Sequence, residues 1–168
     1  GRIDVAINNA GIGQRLAPLK ALGADEFDRI MAVNARGVFL GMKHQLPPML
    51  EAGEGAILNV ASAAGLVGAG HLSAYAAAKH AVVGLARAVA DEVARKGVRV
   101  NALCPSFAVT PLFDEMADEI AGRHGIARED AYGRIVSRVP MGRVAAEEIA
   151  EAMVWIASPR NGFMTGQA

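Results

Sequence analysis

The 168 residues suit one domain, and with 52% apolar and 20% charged residues the composition is that of a packed globular chain rather than a disordered one. Seventeen Lys and Arg balance seventeen Asp and Glu, so no overall field draws the chain to nucleic acid or to an anionic membrane. A single cysteine, Cys104, excludes an internal disulfide framework and fits a reducing, cytoplasmic compartment.

The chain opens on the apolar run IDVAIN (3–8), the first of three short Val- and Ile-rich stretches; the others are AILNVA (56–61) and VRVNALC (98–104). None alternates cleanly between polar and apolar, which is the pattern of strands buried on both faces. A helical pattern then runs from about Asp25 to Glu51, with Ile30, Val33, Gly37, Phe39 and Leu40 near one side and a bend or break expected at Pro47-Pro48. The uncharged stretch 55–78 has the length of a membrane span, but Asn59, Ser62, His71, Ser73 and four glycines interrupt it, so it reads as strand, loop and helix start. A second helix is expected from Ser73, as N-cap, to Gly97, as its stop, with Val82, Leu85, Ala86, Val89 and Val93 as the inward stripe. Past Pro105 the pattern is helical only in pieces, and a last helix is expected over roughly 147–157. The long connection 106–145 reads as a lid or binding region within the one domain. Strands alternating with helices predict an α/β fold, a doubly wound parallel sheet of which this chain carries about three strands with flanking helices.

In such sheets ligands bind beyond the carboxyl ends of the strands. The first strand exits into Asn8, Asn9, Ala10 and Gly11, the second into Ser62 and the Gly-rich AAGLVGAG, the third into Pro105, Ser106 and Thr110. The helix near the second exit carries Tyr75 and Lys79, four residues apart and therefore on one face, a turn apart. Each feature also has a plainer reading: NNAG as a tight turn, Ser62 as a turn cap, Asn34 as a helix-bending residue, Tyr75 as packing and Lys79 as a solvated charge. His44, His71, His80 and His124 lack metal-ligand spacing with Cys or acidic residues, and Cys104, closing an apolar strand, reads as core.

Taken together, NNAG (8–11), VNARGVF (33–39), Ser62 thirteen residues before Tyr75, YAAAK (75–79) and VRVNALCPSFAVTP (98–111) resemble the short-chain dehydrogenase/reductase family in its NNAG-bearing, short-subunit branch. The closing VPMGRVAAEEIAEAMVWIASPRNGFMTGQA resembles that family's C-terminal segment. The resemblance implies a Rossmann-like fold and an NAD- or NADP-dependent hydride transfer between an alcohol and a ketone. It implies a catalytic tetrad of Asn34, Ser62, Tyr75 and Lys79, with Tyr75 as proton donor to the ketone. Bringing a phenol from near 10 to neutrality takes about 4 kcal/mol of differential stabilisation, and an ammonium a turn away is expected to favour the phenolate. Lys79 would also bond the nicotinamide ribose, Ser62 would hold the substrate oxygen, and Asn34 would hold a water linking Lys79 to solvent. Asn8, Ala10 and Gly11 would stand beside the adenosine ribose. Pro105, Ala108 and Thr110 would lie at the nicotinamide, and Leu112, Phe113 and Met116 would line the substrate pocket. Ser106 stands where the family usually has glycine, a departure at the turn beside the nicotinamide.

The family's phosphate-binding glycine loop would lie about 80 residues before NNAG, and its last strand after Ala168, so the chain is expected to be a piece of a longer enzyme, weak or inactive alone, with an aggregation-prone edge at the first strand. The partners implied are a small-molecule alcohol or ketone and further copies of the chain, as a dimer or tetramer through helices 25–51 and 73–96, without nucleic acid, membrane or metal. The sequence TPLF (110–113) reads away from a carrier-protein-linked acyl substrate. A non-catalytic dinucleotide-binding or regulatory family member is the alternative.

Overall fold

Three parallel strands, β1 (Val5–Asn8), β2 (Gly55–Val60) and β3 (Val98–Leu103), form one sheet in the order β1-β2-β3. The computed structural model describes residues 1–137 and 139–168. Val5 stands opposite Ala56, and Gly55 opposite Val98. Parallel strands need long crossovers, and the helical stretches of the sequence supply them.

The first crossover contains α1 (Ala24–Met31), a π-helical segment (Ala32–Arg36) and α2 (Gly37–Ala52). The wider π turn adds a residue and shifts the helix phase. The buried stripe is consequently Ile30, Asn34, Val38, Met42 and Met49, whereas Val33 and Phe39, expected inside, are 37% and 45% exposed. Nor does the helix break at Pro47-Pro48: α2 continues to Ala52. The carbonyls the two prolines leave unpaired belong to Lys43 and His44, which are exposed and open to water.

The second crossover contains α3 (Ser73–Val93), extended by one 3-10 turn (Ala94–Lys96). Here Leu72, not Ser73, holds the capping position, and the Ser73 hydroxyl is buried without a hydrogen-bond partner. The stops are as expected of glycine. Gly53 ends α2 at φ 72° and Gly97 ends the α3 run at φ 80°. The two approach so closely that a Cβ on Gly97 would stand 2.0 Å from the Gly53 carbonyl oxygen.

Alternation along the strands assigns the two faces. Ile57, Ala61, Val98, Val100 and Ala102 join Val38, Met42 and Met49 of α2 and Val82, Val83, Ala86, Ala90 and Val93 of α3 in the main core. The opposite face carries Arg99, whose buried guanidinium donates to the carbonyls of Ile156 (3.0 Å), Ala157 (3.2 Å) and Ser158 (3.2 Å), closing the end of α6 (Ala146–Ala157). Residues 164–167 run along the outer edge of β3, with Gly166 N donating to Val100 O and Ala102 N to Gln167 O, both at 2.8 Å. They supply pairing that the sequence reading placed only beyond Ala168. Between β3 and α6 lie α4 (Pro111–His124) and α5 (Arg128–Val136), which share a small core of Phe113, Ala117, Ala131 and Tyr132. Among the described residues no helix is long and apolar enough to cross a membrane.

Candidate active site

The three strand exits converge. Ala61 N donates to Leu103 O and Ala63 N to Pro105 O, each at 2.8 Å, so the segments leaving β2 and β3 are tied together. Ser62 follows in extended backbone, and its hydroxyl accepts from Ala64 N at 3.2 Å, capping the short turn Ala63–Gly65. That turn lies against α3: a Cβ on Gly65 would stand 2.7 Å from the Lys79 carbonyl oxygen. Ser62 therefore does cap a turn, and the same turn brings it to the tyrosine.

Tyr75 and Lys79 share a face of α3, with Lys79 Nζ 5.6 Å from the centre of the Tyr75 ring. Lys79 is 5% exposed, and its Nζ donates to Val60 O at 2.8 Å, at the last residue of β2. Burial lowers its pKa to about 8, while the Cys104 thiol opposes that shift. Burial also raises the phenol of Tyr75 above its ordinary value, and the neighbouring Ser62 side chain pulls the other way. Desolvation thus outweighs the help expected from Lys79, and the phenol stands above rather than below its ordinary value. Desolvation penalises both charged forms, and it is the largest influence on each.

Asn34 is fully buried on the π segment and clamps the loop after β1 by both backbone groups of one residue. Its Nδ2 donates to Ile12 O and its Oδ1 accepts from Ile12 N, both at 2.8 Å. The clamp carries Gly11 into the site: a Cβ there would stand 3.3 Å from Asn34 Oδ1 and 3.6 Å from Lys79 Nζ. A loop from β1, a π turn and a lysine on α3 thus meet at one point.

The remaining expected residues divide. The Asn8 carboxamide turns inward, donating to Asn59 Oδ1 (2.7 Å) and Gln45 Oε1 (3.1 Å) and accepting from Gln45 Nε2 (2.8 Å), so its side chain is spent on the fold. Ala10 and Gly11 are exposed beyond the strand. Ala108 makes a parallel bridge with Val144, and the Thr110 hydroxyl donates to Ala108 O at 3.3 Å, at the start of α4. Leu112 and Met116 line a cavity of about 850 Å³ together with Ile12, Gly13 and Gln14. Phe113 does not: it is 4% exposed, with its ring centre 5.1 Å from that of Tyr132, because α5 packs on that side of α4. Two contributors had no local sequence signal. Gly65 is needed only because α3 passes over it, and Gln14 makes its bonds 57 and 61 residues away.

Comparison with known proteins finds dehydrogenases and reductases among the chain's relatives. A family model described as Enoyl-(Acyl carrier protein) reductase matches residues 1–168. The chain is 35% identical to a D-beta-hydroxybutyrate dehydrogenase of Rhizobium meliloti, over 99% of this chain and 65% of that protein. It is 41% identical to a 2,5-dichloro-2,5-cyclohexadiene-1,4-diol dehydrogenase of Sphingobium indicum, over 99% of this chain and 64% of that one. The crystal structure of an actinorhodin polyketide ketoreductase variant with NADPH superposes with a TM-score of 0.93 at 37% identity, covering 100% of this chain and 65% of the other. The chain therefore spans about 65% of the length of these proteins.

Proposed function

The chain belongs to the short-chain dehydrogenase/reductase family, and from that premise we propose that it carries the proton-transfer and substrate half of an NAD- or NADP-dependent alcohol/ketone oxidoreductase. The observation that carries this reading is the meeting of Ser62, Tyr75 and Lys79 at the carboxyl end of β2, with Gly11 and Asn34 closing the far side.

The residues present fit a nicotinamide nucleotide. Gly11 leaves open a space that a Cβ would fill within 3.6 Å of Lys79 Nζ, and a buried cation with two hydroxyl-bearing neighbours suits a ribose diol. The cofactor, when bound, supplies the hydride. Tyr75, protonated at neutral pH and pushed further that way by burial, gives its proton to the substrate oxygen. Ser62 holds that same oxygen and steadies the charge that grows on it. Lys79, with a pKa of about 8, remains roughly nine-tenths charged at pH 7 and stabilises the phenolate left behind. Asn34 spends its carboxamide on Ile12, so its contribution is to hold the β1 loop against the lysine, and any water relay passes by its main chain.

Leu112 and Met116, with Ile12, give the cavity an apolar side, while Arg15, Glu26, Arg29, Glu115, Glu119 and Arg123 give it a charged one, which suits a modest alicyclic, aliphatic or sugar-like carbonyl. Residues 106–145 form the substrate-binding region in this reading, with Ala108 and Thr110 beside the nicotinamide, and the compartment is the cytoplasm. Half-exposed Val33 and Phe39 on the first crossover support self-association through that face. The test is Tyr75→Phe, which is expected to remove turnover of any ketone substrate while dinucleotide binding persists. Undiminished turnover in that variant overturns the reading.

A further inference from the structure

We infer that Gln14 is a positioning residue for Tyr75, a helix cap supplied to α3 from the loop after β1. The inference deepens the reading of Tyr75 as proton donor and rests on it.

The first turn of α3 has no cap of its own. Leu72 occupies the capping position with an apolar side chain, and the Ser73 hydroxyl makes no hydrogen bond. Helix geometry leaves the first amides of such a turn without intrahelical acceptors. Gln14 supplies one: its Oε1 accepts from Tyr75 N at 3.0 Å, while its Nε2 donates to His71 O at 3.2 Å. Both partners are backbone groups of fixed polarity, so the carboxamide can be placed only one way round. Gln14 is 8% exposed, which puts these bonds away from competing water.

The turn that receives Gln14 is strained. His71 has φ 65°, the one positive value on a non-glycine residue among those described. Conformations of this kind persist only where the surroundings hold them. Here the His71 carbonyl accepts from both Gln14 Nε2 and, at 3.0 Å, Ala17 N. Three hydrogen bonds therefore staple residues 14–17 to residues 71–75. The same segment is gripped from the substrate side, where Leu16 N donates to Glu119 Oε2 at 3.1 Å and Leu16 O accepts from Arg123 of α4. The residue whose amide Gln14 holds is the residue whose phenol must be aimed. Releasing that amide frees the first turn of the helix and the ring with it.

The experiment compares wild type with Gln14→Met, which keeps the volume and removes the acceptor, and Gln14→Glu, which keeps the acceptor. The chain has only two tyrosines, Tyr75 and Tyr132, so a Tyr132→Phe background makes the phenol titration at 295 nm a direct report on Tyr75. In wild type the Tyr75 amide is expected to exchange more slowly than the Ser73 amide. In Gln14→Met its exchange is expected to quicken about tenfold, as loss of a cap predicts, with amides at the middle of α3 unchanged. The phenol titration should move down toward the ordinary tyrosine range as the ring becomes wetter. In Gln14→Glu the Tyr75 amide protection should be largely kept. A wild-type Tyr75 amide no slower than Ser73, or a Gln14→Met variant with unaltered Tyr75 exchange and titration, overturns the inference; so does exchange that quickens equally along the whole helix. None of these readouts needs turnover, so failure here is distinct from failure of Tyr75→Phe to remove activity.

Discussion

Gly65 touches the backbone of Lys79: a Cβ on the glycine would lie 2.7 Å from the lysine's carbonyl oxygen and 2.9 Å from its carbonyl carbon. The turn that carries Ser62 thus rests directly on the helix that carries the tyrosine and lysine. Gly65→Ala forces backbone atoms apart, and neither the turn nor the helix has a flexible side chain to yield. The expected loss is about 1–3 kcal/mol, the usual range for overpacking, measured by urea unfolding. Turnover should fall further than stability alone explains, because the strain separates Ser62 from Tyr75. A variant as stable and active as wild type contradicts the contact.

Lys79 is a buried cation whose nearest hydrogen-bond acceptor is a neutral carbonyl, so function and stability should part company at this position. Lys79→Met is expected to remove activity and yet unfold later than wild type at pH 7. The depressed pKa corresponds to about 3 kcal/mol of cost for keeping the charged form, of which the lost hydrogen bond and any packing misfit take back about half. Differential calorimetry of the two proteins decides it. A clear loss of stability would show that the bond to Val60 outweighs the burial.

The pH dependence of that comparison has a definite sign. An unfolded lysine titrates near 10.5 and the folded one at about 8. Between those values the unfolded chain holds the proton and the folded chain does not, so this residue makes wild type more stable as pH rises. The advantage of Lys79→Met should be flat below pH 8 and shrink by about 3 kcal/mol on going to pH 11. Burial raises Tyr75 and Cys104, which act in the opposite direction at alkaline pH; Cys104 also feels the Lys79 charge, so its contribution cancels only in part in the difference. Parallel stability curves would contradict the depressed lysine.

Asn34 offers a test that separates its two bonds. Asn34→Asp retains an acceptor for Ile12 N but sets a carboxylate oxygen against Ile12 O, whereas Asn34→Leu loses both partners. Leaving buried backbone groups unpaired costs about 1–3 kcal/mol each, so the Leu variant should be the less stable at pH 5, where the Asp side chain can be protonated and donate. At pH 8 the order should narrow or reverse. Urea midpoints at the two pH values give the answer.

Ser106 stands where family resemblance suggested a glycine, yet its φ is not positive. The position does not require glycine's freedom. Ser106→Gly should therefore lower stability slightly, by about 0.4–1 kcal/mol, through greater freedom of the unfolded chain, with no gain in dinucleotide affinity. A marked gain in affinity would show that close approach of the cofactor, not backbone angle, governs this position.

What could be read in advance was what short-range spacing determines. Three apolar runs gave three strands, and four residues between Tyr75 and Lys79 put them on one face because a helix turns in 3.6. What escaped reading depends on neighbours distant in sequence. Val33 and Phe39 turned outward because a π segment, anchored by the Asn34–Ile12 clamp, altered the helix phase. Phe113 turned away from the cavity because Tyr132 on another helix offers it a tilted ring contact. Sequence gave the lysine's proximity to the phenol but not the depth of burial, and burial fixed the direction of both pKa shifts. Gln14 could not be picked out at all, since its partners follow it by nearly sixty residues.

The facing helix stops at Gly53 and Gly97 have a practical corollary. They sit where β2 and β3 begin, at the pole opposite the chemistry, and the Gly53 carbonyl blocks any side chain on Gly97. That pole behaves as a welded seam: tags, grafts or lengthened loops there would force both strands out of step together.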